Sequence, residues 1–274
     1  MKNHSYFQIS AEELGNNSKI NILKLGDSGE VFYEMAMEMI YQILSDKKEE
    51  KRTVFICPVG PVGQYPIFVR LVNKNKISLK NVFFINMDEY LDDNLKWISI
   101  DHPLSFRGFM NRNVYNKIDP DLLMPQEQRI FPDPDRLDYI PKLVEELGGV
   151  DITFGGIGIN GHVAFNEPQP ELKPEEFARL TTRVLDISRE TITINSVGDL
   201  NGAIVAMPRK CVTIGMKEIL SARKIRLYCF REWHRAVVRQ AAYGEISSNF
   251  PVTLVQNHPD ALLTINNIAA QRAY

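Results

Sequence analysis

The sequence predicts an α/β protein with a doubly wound, mostly parallel sheet and helices on both faces. Three observations predict it. The run Thr53-Val54-Phe55-Ile56-Cys57 lacks regular polar alternation, as expected of a strand buried on both faces. Such runs alternate with segments of helical periodicity almost throughout the chain, the pattern of βαβ units. The run Val150-Asp151-Ile152-Thr153-Phe154 leads into Gly156-Ile157-Gly158-Ile159-Asn160-Gly161, whose glycines allow a tight turn at a strand end.

The elements follow in order. Residues 29–47 carry Val31, Phe32, Met35, Met39, Ile40, Ile43 and Leu44 at helical spacing. Residues 53–57 are a strand, Gln64 to Asn75 a helix, and Asn81 to Asn86 the next strand. His102-Pro103 opens another helix, since proline is tolerated in a first turn. Leu137 to Leu147 is helical and precedes the strand at 150–155. Ala203 to Met207 reads as a strand and Val212 to Leu220 as a helix. Ile225 to Phe230 is a strand, Ala236 to Tyr243 a helix, and Ala261 to Ile265 a late strand. The proline- and charge-rich segment Pro168 to Glu176 reads as a binding loop or a solvated excursion. There is no internal repeat, and residues 1–274 are expected to form a single α/β unit.

Bulk properties exclude several classes. A net charge of −2 gives no electrostatic argument for nucleic acid or membrane partners. No apolar run approaches the roughly 18–20 residues of a membrane helix, and Met1-Lys2-Asn3-His4-Ser5 lacks the apolar core of a secretory signal. Cys57, Cys211 and Cys229 are few, odd in number and far apart, which points to a reducing cytoplasm. The scattered histidines and cysteines show no metal-ligand spacing, so no metal is expected.

Chemistry concentrates in two places. Asp88 and Glu89 follow the apolar run Val82 to Ile85, and a carboxylate at a parallel strand's carboxyl end faces the usual ligand crevice. His162 follows the glycine turn and stands five residues before Glu167. A His–carboxylate pair fixes the imidazole tautomer and supports its charged form. On position alone, Asp88 reads equally as a turn or cap residue, and Glu167 as a surface carboxylate. A dinucleotide fingerprint is rejected, because His162 and Glu167 crowd the place where a pyrophosphate would meet a helix N-terminus.

The run 156–168, ending Gly161-His162-Val163-Ala164-Phe165-Asn166-Glu167-Pro168, resembles the signature of glucosamine-6-phosphate deaminases. Asn86-Met87-Asp88-Glu89-Tyr90 resembles a second motif of that family, and Gln256-Asn257-His258-Pro259 a weaker third. The resemblance covers roughly residues 25 to 268. It implies a Rossmann-like fold of that family's type and conversion of glucosamine-6-phosphate to fructose-6-phosphate plus ammonia. By the same resemblance, His162 opens the pyranose ring, Glu167 orients the imidazole, and Asp88 moves a proton between C2 and C1. It implies no cofactor, a small amino sugar phosphate as partner, and a homo-oligomer.

Two positions depart from the pattern. Asn160 stands where the deaminases usually carry aspartate; it accepts a hydrogen bond but supports the imidazolium less than a carboxylate would. Asparagine here also resembles the galactosamine-6-phosphate isomerase branch, and a non-catalytic sugar-binding sensor is the reading from another class. The related 6-phosphogluconolactonases rank low, because they usually lack the Asn166-Glu167-Pro168 ending. The loop Cys57 to Pro66 replaces the family's Gly-Gly-Thr phosphate turn with Gly60-Pro61-Val62-Gly63. Pro61 has no N–H to offer, which leaves Gly60, Gly63 and Gln64 as the expected anion contacts. Arg235 falls near the family's phosphate-binding lysine.

Overall fold

The computed structural model describes residues 4–274. The first three residues, which carry part of the N-terminal expectation, lie outside the described residues. In chain order the strands are β1 (Asn21–Leu25), β2 (Thr53–Cys57), β3 (Val82–Asn86), β4 (Asp88–Leu91), β5 (Arg129–Ile130), β6 (Ile152–Gly155), β7 (Arg183–Asp186), β8 (Lys210–Thr213), β9 (Lys224–Cys229) and β10 (Ala261–Asn266). The α-helices are α1 (Ser28–Lys48), α2 (Gln64–Asn75), α3 (Phe106–Asn113), α4 (Tyr139–Glu146), α5 (Pro174–Phe177), α6 (Arg189–Asp199), α7 (Met216–Leu220), α8 (His234–Tyr243) and α9 (Asn267–Ala270).

Seven strands form one parallel sheet in the order β1-β10-β9-β6-β2-β3-β5. Side chains of β2 alternate between its two faces. Val54 and Ile56 join one core, with residues of α4, α7, α8 and α9. Phe55 and Cys57 join the other, with residues of α1, α2 and α3. Helices therefore cover both faces, which explains why β2 is apolar from Val54 to Cys57. After β2 the chain runs outward through β3 and β5, then returns to place β6 on the other side of β2. The loops leaving β2 and β6 diverge there, opening a crevice at a topological switch point.

A second, three-stranded antiparallel sheet, β4-β8-β7, stands beside this crevice. The chain enters it directly from β3: Met87 N–H donates to the Cys57 carbonyl of the large sheet, and the Met87 carbonyl accepts from Ile214 N–H of the small one. Its own core holds Tyr90, Ile98, Leu104, Phe165, Ile187, Met207 and Cys211.

Several expectations need correction. Ala203 to Met207 is not a strand; Ile204–Ala206 is a single 3₁₀ turn, with Val205 91% exposed. Apolar content misleads there because residues 203–206 are exposed and only Met207 reaches a core. The expected helix at Val212 begins only at Met216, because residues up to Thr213 pair in β8. Glu218 then accepts from Gly215 N–H and caps α7. His102-Pro103 does not open α3; Ser105 does, its Oγ accepting from Gly108 N–H at 3.1 Å. The segment Pro168 to Glu176 is solvated at Pro170, Glu171, Lys173, Glu175 and Glu176, as expected of an excursion, while Gln169 N–H bonds the Ser248 carbonyl and Phe177 just beyond it is fully buried. Among the described residues, no helix is long and apolar enough to cross a membrane, and the three cysteines are buried and free.

Candidate active site

A cleft opens at the switch point. Pro58 to Pro61 after β2, Gly156 to Gly158 after β6, and Phe230, Arg231, Trp233 and His234 after β9 line it on one side. Met87, Asp88, Tyr90, Phe106, His162, Phe165, Ile194, Asn195 and Asp199 line the other. Asp88 and His162, from sequence motifs more than 70 residues apart, thus face one space.

Asp88 and its neighbour Glu89 are both buried, with opposite surroundings. The Glu89 carboxylate accepts from Tyr90, Phe106 and Arg107 N–H, Ser105 Oγ and Arg107 Nε, and so anchors the start of α3. Asp88 is only 7% exposed, and among the described residues no group donates to its carboxylate. Burial first, and the Glu89 charge second, push its pKa well above the ordinary carboxylate value. A carboxylate so placed is a stronger base than one in water, and it faces the cleft.

The His162 end is a closed network. Asn160 Nδ2 donates to Glu167 Oε2 at 2.7 Å and to Ser188 Oγ at 3.1 Å. Asn160 Oδ1 faces His162 Nδ1 at 2.8 Å. The Glu167 carboxylate can only accept, so the amide must point its nitrogen there and its oxygen at the ring. His162 Nδ1 therefore carries the proton, and Nε2 is the acid–base atom left for the cleft. Thr191 Oγ1 lies 3.2 Å from Nδ1, and Ser188 N–H donates to Glu167 Oε1 at 3.3 Å. His162 Nδ1 and Glu167 Oε2 are 3.7 Å apart. Burial alone would raise the Glu167 pKa. The His162 imidazole, followed by the Asn160 and Thr191 contacts, outweighs burial and holds it down to about 2.

The glycine turn makes this geometry possible. A Cβ on Gly158 would lie 2.0 Å from the His162 ring. Gly161 has φ +83°, and a Cβ there would meet the Phe250 ring at 2.5 Å. His234, buried behind the same turn, accepts from Phe230 and Arg231 N–H at Nδ1 and faces the Ile157 carbonyl with Nε2 at 3.1 Å. Burial pushes its pKa down to about 3, so it is a neutral clamp between the β9–α8 loop and the turn.

The expected anion contacts divide. Gly60 lines the cleft and has open space where a Cβ would stand. Gly63 serves packing instead: a Cβ there would lie 2.3 Å from the Phe32 ring. Gln64 is fully buried, its Nε2 donating to the Pro61 carbonyl. Arg235 is not among the lining residues; its Nε donates to the Ile268 carbonyl, and its Nη2 lies 3.8 Å from Glu232. Arg231, which the sequence did not single out, is the arginine on the cleft wall. His258 contacts the Ala222 carbonyl at 2.8 Å and Gln256 donates to the Ala241 carbonyl, so the third motif serves the scaffold. Ser188, Thr191 and Asn195 were also missed. They come from α6, whose β-branched sequence Arg-Glu-Thr-Ile-Thr-Ile-Asn carries little helix propensity; only the cap Ser188, with Glu190 in the first turn, could have signalled it.

A parallel α/β fold with an unpaired carboxylate and a tautomer-fixed histidine on one cleft at its switch point has the arrangement that proton-transfer chemistry uses. Comparison narrows the class. The chain is 30% identical over 245 residues to the glucosamine-6-phosphate deaminase of Clostridium perfringens, covering 88% of this chain and 96% of that one. It is 29% identical over 257 residues to that of Staphylococcus saprophyticus, covering 92% and 100%. A solved structure described as a monomeric glucosamine-6-phosphate deaminase superposes with a TM-score of 0.76 at 27% identity, covering 91% of this chain and 98% of its own. A 6-phosphogluconolactonase from Trypanosoma brucei shares the fold, with a TM-score of 0.66 at 15% identity over 93% and 98% of the two chains. No family model matches the chain. This chain belongs to the glucosamine-6-phosphate deaminase family.

Proposed function

We propose that the protein converts glucosamine-6-phosphate and water to fructose-6-phosphate and ammonia. The observation that carries this reading is the shared cleft: Asp88, buried and unpaired, and His162, its tautomer fixed by Asn160 and Glu167, line the same space. Protonated His162 Nε2 gives its proton to the ring oxygen as the C1–O bond to it breaks, and Nε2, now neutral, takes the proton of the anomeric hydroxyl as the C1 carbonyl forms. The Asp88 carboxylate then takes the proton from C2, and the electron pair moves through C1 to the carbonyl oxygen, which takes back a proton from His162 Nε2. The result is an enediol-type intermediate, an enolamine because C2 bears nitrogen. Asp88 returns a proton to C1, C2 becomes an iminium, and water adds there as ammonia leaves. Each step uses a proton donor or acceptor already on the wall of the cleft.

Asp88 acts as base, His162 as acid, and Asn160 with Glu167 as the groups that orient it. The recessed Asp88 suits a base that carries one proton from C2 to C1 with little exchange with solvent. The chemistry drawn uses these side chains alone. A cytoplasmic location is carried over from the family resemblance and the cysteine usage. Self-association rests on the family resemblance alone, and the 27%-identical relative described as monomeric speaks against it; light scattering on the purified protein decides. The direct test of the reaction is ammonia release from glucosamine-6-phosphate, galactosamine-6-phosphate and unphosphorylated glucosamine. Turnover of the first is expected to exceed both others. Turnover of galactosamine-6-phosphate alone would move the substrate to the other epimer, and release from none would leave the fold without this activity.

A further inference from the structure

We infer that Arg231, on the loop between β9 and α8, is the residue that reads the substrate's phosphate, in place of Arg235. This rests on the proposed reaction, whose substrate carries a 6-phosphate. Arg231 lines the cleft, whereas Arg235 does not. The two guanidinium groups are also in different states. Arg235 is engaged by the Ile268 carbonyl and stands beside Glu232. The Arg231 guanidinium makes no hydrogen bond or ion pair among the described residues; it rests near the Phe230 and Trp233 rings, 5.9 and 6.0 Å from their centroids. Asp199 shares the cleft wall and feels the Arg231 charge without pairing with it. The guanidinium fork is thus left free to bind a phosphate through two N–H groups.

The loop around Arg231 is fixed against both other walls. His234 holds Phe230 and Arg231 N–H on one ring nitrogen and the Ile157 carbonyl on the other, which ties the loop to the turn that carries His162. Phe32 packs edge-on to Phe230, with ring centroids 4.8 Å apart, and fills the space above Gly63. The loop 58–63 and the loop of Arg231 are therefore neighbours through one aromatic ring. Pro61 offers no N–H, while Gly60 leaves open space on the cleft side. Among the described residues, Arg231 is the one lysine or arginine on the wall of the cleft that Gly60 also lines.

The test compares Arg231→Gln, Arg231→Lys and Arg235→Gln with the wild type on glucosamine-6-phosphate, together with calorimetric titration of inorganic phosphate. Arg231→Gln is expected to raise KM about tenfold or more, the size of one lost charge-assisted hydrogen bond, with kcat changed less than about threefold because a phosphate contact is kept equally in the ground and transition states. Arg231→Lys should recover part of the loss, and Arg235→Gln should leave KM within about twofold. Phosphate affinity should fall in Arg231→Gln in the same proportion as KM rises. Unchanged KM in Arg231→Gln, or a rise confined to Arg235→Gln, would overturn the assignment. If the wild type releases no ammonia, the proposed reaction fails; phosphate binding that disappears in Arg231→Gln would still support the assignment, and no binding in the wild type would overturn it.

Discussion

His162 and Arg231 face the same cleft from opposite surroundings. Around His162 the polar atoms already have partners: Asn160 bridges the ring and Glu167, while Ser188 and Thr191 close the network from α6. Around Arg231 a guanidinium stands free beside two aromatic rings. Asp88 resembles Arg231 in lacking a partner and His162 in being buried. The contrast separates two tasks. A group that must deliver a proton in one direction is oriented before substrate arrives, and its network offsets the loss of side-chain freedom. A group that must hold a substrate atom keeps its donors, or its lone pairs, unsatisfied until that atom is present.

The largest effect should come from Asp88→Asn. Loss of a positioned base lowers kcat by about 10²–10⁴-fold. The wild-type rate should rise with pH through the raised Asp88 pKa, above the ordinary carboxylate range, and this limb should vanish in the variant. Stability should move the other way. A carboxyl whose folded pKa is raised favours the protonated form, so its charge destabilises the fold as pH rises above the unfolded value. Asp88→Asn should therefore melt higher than the wild type at pH 8 and match it near pH 3. An equal melting temperature at both would mean that Asp88 is solvated after all.

Glu167→Gln tests the oriented end. With its folded pKa near 2 against an ordinary 4.5, Glu167 contributes stability on the order of 3 kcal/mol above pH 4.5. That contribution is lost as pH falls from about 4.5 toward 2, so denaturation curves of variant and wild type should converge over that window. A constant gap down to pH 2 would show that the carboxylate charge is not what the network stabilises.

Two glycines then sharpen the difference between scaffold and cleft within one loop. Gly63→Ala drives a methyl into the Phe32 ring, an overpacking cost of about 1–3 kcal/mol in denaturant titration. Gly60→Ala meets no atom and should stay within about 0.5 kcal/mol, with its effect confined to KM. The reverse order would place Gly63, not Gly60, on the substrate side. The smallest change is expected from Asn160→Asp, on the alkaline limb, where the His162 acid loses its proton. It keeps the acceptor for His162 Nδ1–H but sets a second carboxylate against Glu167 at 2.7 Å. Two such charges titrate as a pair with one raised step, and the alkaline limb of the rate profile should shift upward by about one pH unit. An unshifted profile would mean that the amide donor to Glu167 is dispensable.

Much of this was legible because the large sheet uses strong local signals. β2 and α2 fall on the residues expected, since a strand buried on both faces is apolar along most of its length and α2 has an unbroken periodic face. Asp88, His162 and Glu167 were legible from motif residues at strand ends. The small sheet was not. β7 is half exposed and four residues long, and β8 was absorbed into a helix because its pairing with β4 is a tertiary contact no local window reports. Asn160 was read as a missing charge; its amide proves to join two groups, which depends on Ser188 and Glu167 approaching from different segments. Arg235 was read from alignment position alone, whereas Arg231, four residues earlier and not singled out in the sequence, is the one that lines the cleft.

The most direct measurement follows the label from glucosamine-6-phosphate deuterated at C2, with C1 of the fructose-6-phosphate product read by NMR. A single recessed carboxylate carrying the proton predicts that part of the deuterium reappears at C1 in the wild type, and that the transfer disappears in Asp88→Asn although the variant remains folded. Deuterium transfer to C1 that persists undiminished in Asp88→Asn would contradict it.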